Sequence, residues 1–397
     1  MSESRDSRTI GLNLLYLVPG KVGGTEIYAR RLVHALAAAR PDWRWLAYCG
    51  PDALEALESE RWPASVHLVP SPRPSGEKAS RAVLELSWLA WRAARDGVHL
   101  LHSLGTTSPF VTRCPRVVTV HDLIYLHYPE TFPRAARIAL KALVGPGARR
   151  ADRVIADSQA AKNDIAAHLG VHSHRVDVAH LGCNIARVDG TPEPELRTRF
   201  GLADHRICLC VSAALVHKNL DALIRAFARV ATGRTDLALV IAGHAGREHD
   251  RLRVLADSTG QGSRIVLTGW IGDSDLEGLY ALATCCVYPS LLEGFGLPVL
   301  EAMARGVPIA CSDASSLPEV AGDAADLFDG RDIASIARAI ERLADDRDHV
   351  RELVERGLDR VGRFTWAHCA DATLASYGRA LDPAGLRGDP ARYRPPA

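Results

Sequence analysis

The sequence predicts an α/β protein of two domains, each built on a parallel sheet. Its 397 residues are nearly three times the ~150 residues that serve as a prior for one domain. Short apolar runs alternate with longer helical patterns, which is typical of α/β layers. A segment rich in glycine, proline and charge separates two such runs of elements. The composition, with 47% hydrophobic and 24% charged residues, matches an ordinary globular protein and excludes a mostly disordered chain.

The first half of the chain contains six apolar runs that predict strands: Ile10–Val18, Arg44–Cys49, His67–Val69, Leu100–His102, Val117–Val120 and Arg153–Ala156. The segments between them have a helical pattern: Glu26–Ala39, Ser80–Arg95, Phe132–Val144 and Gln159–His168. In the first of these segments the apolar residues are Ile27, Leu32, Ala35 and Leu36, a spacing that indicates one buried helix face.

The second half repeats this scheme. Its predicted strands are Arg206–Val211, Ala238–Ala242, Arg264–Thr268, Cys285–Tyr288 and Pro308–Ser312, and its predicted helices are Leu220–Ala231, Asp273–Ala283, Pro298–Arg305 and Ile333–Asp345. Residues 183–205 have no clear period, which predicts a linker between domains at 1–182 and 206–363. A last helix at 364–381 is expected to pack back toward the first domain, followed by a frayed tail at 382–397.

Charge and cysteine content exclude several classes of protein. The 48 basic residues nearly balance the 47 acidic ones, which argues against a nucleic-acid-binding protein. No apolar run reaches the ~18 residues of a membrane span. The nine cysteines have neither metal-ligand nor disulfide-framework spacing, so we expect a reduced, cytoplasmic protein without a metal site.

The densest candidate site is Tyr288-Pro-Ser-Leu-Leu-Glu-Gly-Phe-Gly-Leu-Pro-Val-Leu-Glu301. It follows a buried strand, and ligands of open α/β sheets bind at the carboxyl ends of strands. Pro298 favours the start of a helix, whose first N–H groups, at Gly296 and Leu297, suit a diphosphate. Glu301 could accept hydrogen bonds from a ribose diol, while Glu293 lies closer to a transferred group. The alternative is a pair of solvated acids, which the glycines, the proline and the strand end together disfavour.

This stretch resembles the E-x7-E motif of the GT-B glycosyltransferases of family 4, the retaining glycogen-synthase-like group, and residues 306–325 resemble its continuation. The resemblance implies two Rossmann-like domains facing a cleft. It implies a nucleotide-sugar donor held mainly by the second domain, an acceptor held mainly by the first, and no required metal or other cofactor. Glu301 would bind the donor ribose, and Glu293 would lie beside the reacting carbon. The backbone of Gly294, Phe295, Gly296 and Leu297 would hold sugar hydroxyls and the diphosphate.

Two further segments of the second half are similar to donor-binding loops of that family. Val211-Ser-Ala-Ala-Leu-Val-His-Lys-Asn219 resembles the loop that supplies an Arg and a Lys to the leaving diphosphate. Lys218 matches, and its ammonium would stabilise charge on the leaving group. Ala213 occupies the position of the usual Arg, and His217 is one candidate to compensate. Ile271, in Thr268-Gly-Trp-Ile-Gly-Asp273, would contact the base through its backbone.

The first half carries the remaining matches. Pro19-Gly-Lys-Val-Gly-Gly-Thr-Glu26 permits close backbone approach to a phosphate and resembles the family's glycine-rich first loop. This assigns Gly24 to the donor and Gly23 and Thr25 to the acceptor side. His121 and Asp122 follow a buried strand and match the family's H-D pattern, which implies a catalytic His121 facing the sugar and an acceptor-side Asp122. Ser158 resembles another strand-end position near the acceptor.

Charge is unevenly distributed along the chain. Residues 1–200 hold 26 basic and 20 acidic residues, whereas residues 201–397 hold 22 and 27. The helical pattern Phe132–Val144 carries Arg134, Arg137 and Lys141, with Arg149 and Arg150 beyond it. A basic, partly apolar helix can lie on an anionic membrane surface. The pattern therefore indicates either peripheral docking on the inner face of the membrane, near a lipid-linked acceptor, or an ordinary solvated helix face.

Together these observations predict a retaining glycosyltransferase that moves a hexose from a nucleotide sugar to a glycan or lipid-linked acceptor in cell-surface polysaccharide assembly. Mannose is favoured because the His-Asp and Ser-Leu-Pro-Glu segments look most like mannose-transferring branches. The alternatives are a nucleotide-sugar epimerase of the same fold and a catalytically silent glycosyltransferase-like partner. The mechanism stays open between same-face attack and a double displacement through Glu293.

Overall fold

The computed structural model describes residues 7–20, 23–74, 76, 78–183 and 188–382. The chain forms two compact units. Unit 1 contains the described residues of Met1–Leu123, Arg134–Gly182 and Phe364–Ala397, and unit 2 contains those of Ile124–Pro133 and Cys183–Arg363. Each unit has its own parallel sheet.

Unit 1 is built on a sheet of seven strands in the order β3-β2-β1-β4-β5-β6-β7. These are β1 (Thr9–Asn13), β2 (Arg44–Cys49), β3 (Val66–Pro70), β4 (Leu100–Ser103), β5 (Arg116–Thr119), β6 (Arg153–Ala156) and β7 (Val176–Val178). Strands β1 and β4 pair in parallel, with Ile10 opposite Leu100. The strand order reverses between them, and such a switch point is where α/β sheets bind ligands.

The helices of unit 1 are α1 (Gly24–Ala39), α2 (Pro51–Glu58), α3 (Lys78–Val83), α4 (Leu89–Arg95), α6 (Arg134–Arg150), α7 (Gln159–Leu169) and α16 (Trp366–Leu381). A π-helical stretch, Leu84–Trp88, joins α3 to α4, where the sequence predicts one uniform helix. The first strand is shorter than predicted, because the Asn13 side chain accepts the Leu15 N–H at 3.1 Å and turns the chain.

The C-terminal helix α16 packs within unit 1 through buried polar contacts. Tyr377 Oη lies 2.7 Å from Nδ1 of His102, and Nε2 of that ring lies 2.9 Å from Thr119 Oγ1. Ser376 donates a hydrogen bond of 2.7 Å to Asp177. These bonds join the helix to β4, β5 and β7. The predicted tail begins at Asp382, and its remaining residues, 383–397, lie outside the described part of the chain.

Unit 2 has a sheet of six strands in the order β10-β9-β8-β11-β12-β13. These are β8 (Arg206–Val211), β9 (Leu237–Ala242), β10 (Ile265–Gly269), β11 (Ala283–Tyr288), β12 (Ile309–Ser312) and β13 (Asp326–Phe328). Its helices are α5 (Ile124–His127), α8 (Glu193–Phe200), α9 (Leu220–Gly233), α10 (His249–Ser258), α11 (Asp273–Leu282), α12 (Leu297–Ala304), α13 (Leu317–Ala321), α14 (Ile333–Asp345) and α15 (Arg347–Val361). Helices α9 and α14 pack against a core that includes Phe227 and Ile340.

The structure corrects the predicted linker at 183–205. Its residues 184–187 lie outside the described part, and the remainder contains α8, which packs on α11 within unit 2. Leu196 is the only residue of α8 that is fully buried, and Thr191 donates to Asp275 at 2.6 Å. A single apolar anchor gives no readable helical period, so the segment looks like a linker in the sequence. The segment Ile124–Pro133, inside the predicted first domain, also belongs to unit 2.

Helices α10 and α15 were missed for the same reason. Each is rich in charged residues and buries only two residues, Leu252 and Ala256 in α10 and Leu353 and Gly357 in α15. All nine cysteines are free thiols. Within the described residues, no helix is both long enough and apolar enough to cross a membrane.

Candidate active site

Three side chains meet at the carboxyl ends of β8 and β11 in unit 2. Nζ of Lys218 lies 2.6 Å from Glu293 Oε1 and 2.9 Å from the Tyr288 hydroxyl. Tyr288 donates a hydrogen bond of 2.7 Å to the same glutamate oxygen. The carboxylate of Glu293 is therefore held by an ammonium and a phenol at once. The sequence predicted Lys218 and Glu293 but gave no role to Tyr288, whose position as the last residue of β11 was the available signal.

Backbone contacts fix the loop that carries Lys218 against the loop that carries Glu293. Asn219 has a left-handed backbone, with φ of 57°, and its side-chain amide donates to the carbonyls of Pro289 at 3.1 Å and Gly330 at 2.7 Å. The Leu291 N–H donates to His217 O at 2.8 Å. The ammonium and the carboxylate are thus positioned before any ligand binds, which electrostatic stabilisation of a reaction requires.

The electrostatics make Glu293 an anion at neutral pH. Burial by itself would raise the pKa of the Glu293 carboxyl, but the Lys218 ammonium and the surrounding hydrogen bonds outweigh it and lower the pKa below 4.5. The side chain is 10% exposed. An ionised carboxylate can act as a nucleophile or stabilise a cationic transition state, so the structure favours these roles over that of a proton donor.

The segment from Gly294 to Leu297 presents backbone rather than side chains. Phe295 is buried, so only its main chain can contact a ligand. Gly296 has φ of 113°, and a Cβ there would lie 2.7 Å from Leu317 Cδ2, which restricts the position to glycine. The Ser316 hydroxyl donates to the Phe295 carbonyl at 2.6 Å and also lies 3.1 Å from the Glu293 carbonyl. Helix α12 begins at Leu297, where its first N–H groups have no partner in the helix.

Glu301 lies in α12, one turn beyond its start. Its Oε2 is 3.4 Å from the Tyr280 hydroxyl, and the side chain is only partly buried. Burial raises the pKa of the Glu301 carboxyl, although Arg305 opposes this shift. No strong side-chain partner competes for its oxygens among the described residues, so the carboxyl is suited to accept hydrogen bonds from a diol.

Replacing Glu301 with alanine is therefore expected to raise the donor KM about 10- to 100-fold, the value of one or two hydrogen bonds to a charged group, with a smaller change in kcat. Initial-rate kinetics at varied nucleotide-sugar concentration measure this. Glu341, exposed on α14, provides a control variant, Glu341→Ala, that should leave KM unchanged. An unaltered donor KM in Glu301→Ala would remove Glu301 from the donor site.

Ala213 lies on the connection after β8 that also carries Lys218, and Ile271 lies on the connection after β10, two strands away in the sheet. Ala213 is half-buried, and its position supplies no cation. Burial, and then the Lys218 charge, lower the pKa of His217 to about 4, which favours a neutral ring that adds no positive charge at this position. Ile271 is partly buried between the exposed Trp270 and the start of α11. Its main chain lies beyond the end of β10, and its contact with a base stays a prediction.

The predicted residues of unit 1 lie beyond the ends of β1, β5 and β6. Gly23 and Gly24 are exposed, and Gly23, with φ of 58°, precedes the first residue of α1. The main-chain oxygen of Thr25 accepts a hydrogen bond from the Tyr16 hydroxyl at 3.1 Å. Lys21 and Val22 of the same loop lie outside the described residues. Ser158 is fully buried and accepts the Ala161 N–H at 3.0 Å, so its hydroxyl caps α7.

His121 is held by two hydrogen bonds that the sequence did not predict. Nδ1 lies 2.7 Å from Asp157 Oδ2, and Nε2 lies 2.9 Å from the Leu104 carbonyl. Burial would lower the pKa of His121, but Asp157, the Leu104 carbonyl and Asp122 outweigh it and raise the pKa. The doubly protonated ring thus donates to both partners. Asp157, next to Ser158, was missed because its pairing with a histidine 36 residues away is not visible in the sequence.

This pair predicts a pH-dependent contribution to stability. The folded pKa of His121 lies above the unfolded value of about 6.5, so the ion pair stabilises fully below pH 6.5 and its contribution is lost as pH rises through the folded pKa. In urea denaturation, the free energy of unfolding of the wild type should exceed that of His121→Gln by about 1–3 kcal/mol at pH 6, and by less at pH 9. A difference that is independent of pH, or one that survives in the Asp157→Asn background, would contradict the charged pair.

Comparison with known proteins identifies the family. The family described as "Glycosyltransferase Family 4" matches residues 22–187, and the family described as "Glycosyl transferases group 1" matches residues 193–360. The chain is 31% identical over 266 residues to the O-antigen chain mannosyltransferase B of Escherichia coli, covering 66% of this chain and 69% of that protein. The chain belongs to the family 4 glycosyltransferases.

Two further relatives differ in coverage. The MMP alpha-(1->4)-mannosyltransferase of Mycolicibacterium hassiacum is 29% identical over 407 residues, which cover 90% of this chain and 95% of that protein. The serotype-specific mannosyltransferase WbdA of Escherichia coli is 33% identical over 277 residues and 67% of this chain, but the chain spans only 33% of that protein's length.

Solved structures show the same fold. Sucrose-phosphate synthase from Thermosynechococcus elongatus superimposes with a TM-score of 0.74 at 22% identity, over 95% of this chain and 100% of that one. Anabaena HepE in complex with UDP and glucose superimposes with a TM-score of 0.71 at 21% identity, over 94% of this chain and 99% of that one. The fold is therefore GT-B, with two parallel-sheet α/β domains, as the sequence predicted.

Proposed function

We propose that the protein is a retaining mannosyltransferase that transfers mannose from a nucleoside diphosphate sugar to a glycan or lipid-linked acceptor in cell-surface polysaccharide assembly. The observation that carries the proposal is the Lys218–Glu293–Tyr288 cluster at the ends of β8 and β11. It combines a fixed cation for a leaving diphosphate with a fixed anion for an oxocarbenium-like carbon. The mannosyltransferase names of the relatives support the choice of sugar.

In this reaction the residues of unit 2 act mainly by position and charge. The fixed ammonium of Lys218 stabilises the negative charge that grows on the leaving oxygen of the diphosphate. Glu301 accepts hydrogen bonds from the ribose, and the Gly294–Leu297 backbone donates to the sugar and the diphosphate. The reaction needs no metal, because the positive charge comes from Lys218 and from the helix N-terminus.

Donor choice is tested by thermal shift with GDP-mannose, UDP-glucose and ADP-glucose, since a ligand that binds only the folded state raises the melting temperature. NMR of the product formed from the stabilising donor, in the presence of EDTA, then reads the anomeric configuration. Retention without a metal supports the proposal. Inversion, dependence on a metal, or interconversion of the free nucleotide sugar would reject it, and the last result would indicate an epimerase.

We further propose that α6 of unit 1 docks on the anionic inner face of the membrane, where a lipid-linked acceptor would be found. Arg134, Lys141, Arg149 and Arg150 are exposed along α6, and Ile138 on the same helix is 58% exposed. Exposed cations beside an exposed apolar side chain suit a surface of acidic lipids.

Flotation with vesicles of phosphatidylglycerol and phosphatidylethanolamine tests this docking. The double variant Arg134→Glu with Lys141→Glu should lose binding at low salt. Arg253→Glu with Arg347→Glu changes the same amount of charge at exposed positions of unit 2 and should keep it. If both double variants lose vesicle binding equally, the binding depends on the net charge of the protein and not on α6. If the wild type does not float with the vesicles, the docking is rejected.

A further inference from the structure

A buried carboxyl group that the proposed reaction does not use lies next to the switch point of the unit 1 sheet. Glu85 is 3% exposed and is carried by the π-helical stretch between α3 and α4. Its Oε2 accepts a hydrogen bond of 2.6 Å from the Thr107 hydroxyl, whereas Oε1 has no partner among the described residues. π-Helical insertions occur frequently at functional sites, and buried acids are rare without a role.

The surroundings place this carboxyl at the ends of β1 and β4. Asn13, the last residue of β1, donates to the hydroxyl of Ser103, the last residue of β4, at 3.2 Å. Both side chains are fully buried. Burial raises the pKa of the Glu85 carboxyl, and Thr107, Arg81 and Asn13 lie close enough to oppose this shift. Thr107 follows β4 by four residues and is only half-buried, so it lies between the buried acid and solvent.

The connection after β4, which carries Thr107, also contacts the segment after β1 in which the sequence assigns Gly23 and Thr25 to the acceptor side. The Tyr16 ring packs against Gly105, where a Cβ would lie 2.6 Å from Tyr16 Cδ1. The hydroxyl of the same tyrosine donates to the main-chain oxygen of Thr25. Tyr16, in the connection after β1, thus joins the connection after β4 to the first turn of α1.

The direction of the Thr107 hydrogen bond determines what it can bind. A hydroxyl has one proton to donate and two lone pairs to accept with. Because Thr107 gives its proton to Glu85, the oxygen can only accept a hydrogen bond from a ligand. A sugar hydroxyl is a group of matching chemistry, since it has a proton to donate.

We propose that Thr107 binds a hydroxyl group of the acceptor sugar as a hydrogen-bond acceptor, and that Glu85 is the positioning residue that orients it. This inference rests on the proposed mannosyl transfer and adds an acceptor subsite to it. Only Thr107 touches the acceptor; Glu85 acts by fixing the rotamer and proton of the threonine hydroxyl.

The test compares two reactions of the same enzyme: transfer of mannose from GDP-mannose to water, and its transfer to octyl α-D-mannoside. The release of GDP measures both. Thr107→Val keeps the shape but loses the hydroxyl, and should raise the KM for the mannoside about five- to tenfold, the value of one hydrogen bond. Glu85→Gln should raise the same KM, because the amide can donate to Thr107 and reverse its hydrogen bond. The rate of GDP release with water as the acceptor should be unchanged in both variants.

Two further variants separate binding from folding. Thr107→Ser restores the hydroxyl and should restore most of the affinity for the mannoside. Thr112→Val is the matched control, because Thr112 is half-buried in the same connection and donates to the Cys114 carbonyl at 2.6 Å, but it lies near the amino end of β5. It should leave the mannoside KM at the wild-type value.

The proposal is overturned if Thr107→Val keeps the wild-type mannoside KM, if the change appears equally in Thr112→Val, or if the mannoside does not accelerate GDP release from wild type. Failure of wild type to cleave GDP-mannose at all would instead count against the proposed donor. In that case saturation-transfer NMR of octyl α-D-mannoside decides separately: a signal on wild type that Thr107→Val loses supports the subsite, and equal signals reject it.

Discussion

Replacing Glu293 with glutamine is expected to lower kcat by about two to three orders of magnitude, the usual effect of removing one preorganised electrostatic partner, while changing the donor KM much less. The amide keeps the size of the side chain and can still accept from Tyr288 and Lys218, but it carries no charge. The loss therefore falls on the transition state, where positive charge develops on the sugar, rather than on donor binding.

Steady-state kinetics with varied donor and a single-turnover measurement check this expectation for Glu293. Melting temperature serves as the folding control, since the variant leaves the Lys218 ammonium without its anion. Glu341→Gln, on the exposed face of α14, should behave as wild type. A Glu293→Gln enzyme with near-wild-type kcat would show that this carboxylate does not act in the reaction.

Replacing Lys218 with methionine is expected to reduce kcat by about 10²–10³-fold and also to change its pH dependence. Lys218 is the group that holds the pKa of the Glu293 carboxyl below 4.5 against the effect of burial. Without the ammonium, only the hydrogen bonds of Ser290 and Tyr288 oppose the effect of burial, and that pKa rises. If the reaction needs an ionised Glu293, the acidic limb of the pH–rate profile must move to higher pH in Lys218→Met.

Lysine-to-arginine replacement is the matched control for Lys218, because it keeps the charge and alters the geometry. Lys218→Arg should retain the wild-type acidic limb even if its kcat is reduced. If the acidic limb lies at the same pH in wild type and in Lys218→Met, the ionisation that controls the rate is not that of Glu293.

The donor side of the site was largely predictable from the sequence because its parts are local. The two glutamates are separated by one turn and a strand–helix junction, and Gly296 and Pro298 mark the left-handed residue and the helix start directly. The partners of these groups were less predictable. Lys218 contacts Glu293, which lies 75 residues away in the sequence. Tyr288 and Ser316 contact the site only because their loops pack beside it.

The acceptor side depended more on the tertiary structure. His121 and Asp122 could be predicted from one strand end, but the raised pKa of His121 depends on Asp157, which directly follows β6, the next strand of the sheet. Ser158, a predicted acceptor residue, turned out to cap α7. Glu85 gave no signal in the sequence, because a glutamate within a helical pattern normally points to solvent.

Length and the alternation of strands and helices by themselves predicted two α/β domains, which the structure confirms, and one motif predicted a glycosyltransferase donor site. The net charge of nearly zero carried less information than its division between the two halves. The tertiary structure alone decided that residues 188–205 contain a helix of unit 2 and that Ile124–Pro133 belongs to unit 2. It also decided which charged groups lie beside the buried carboxyls. Parallel pairing brings together strand ends that are distant in sequence, and burial beside a fixed cation sets a pKa that no local pattern encodes.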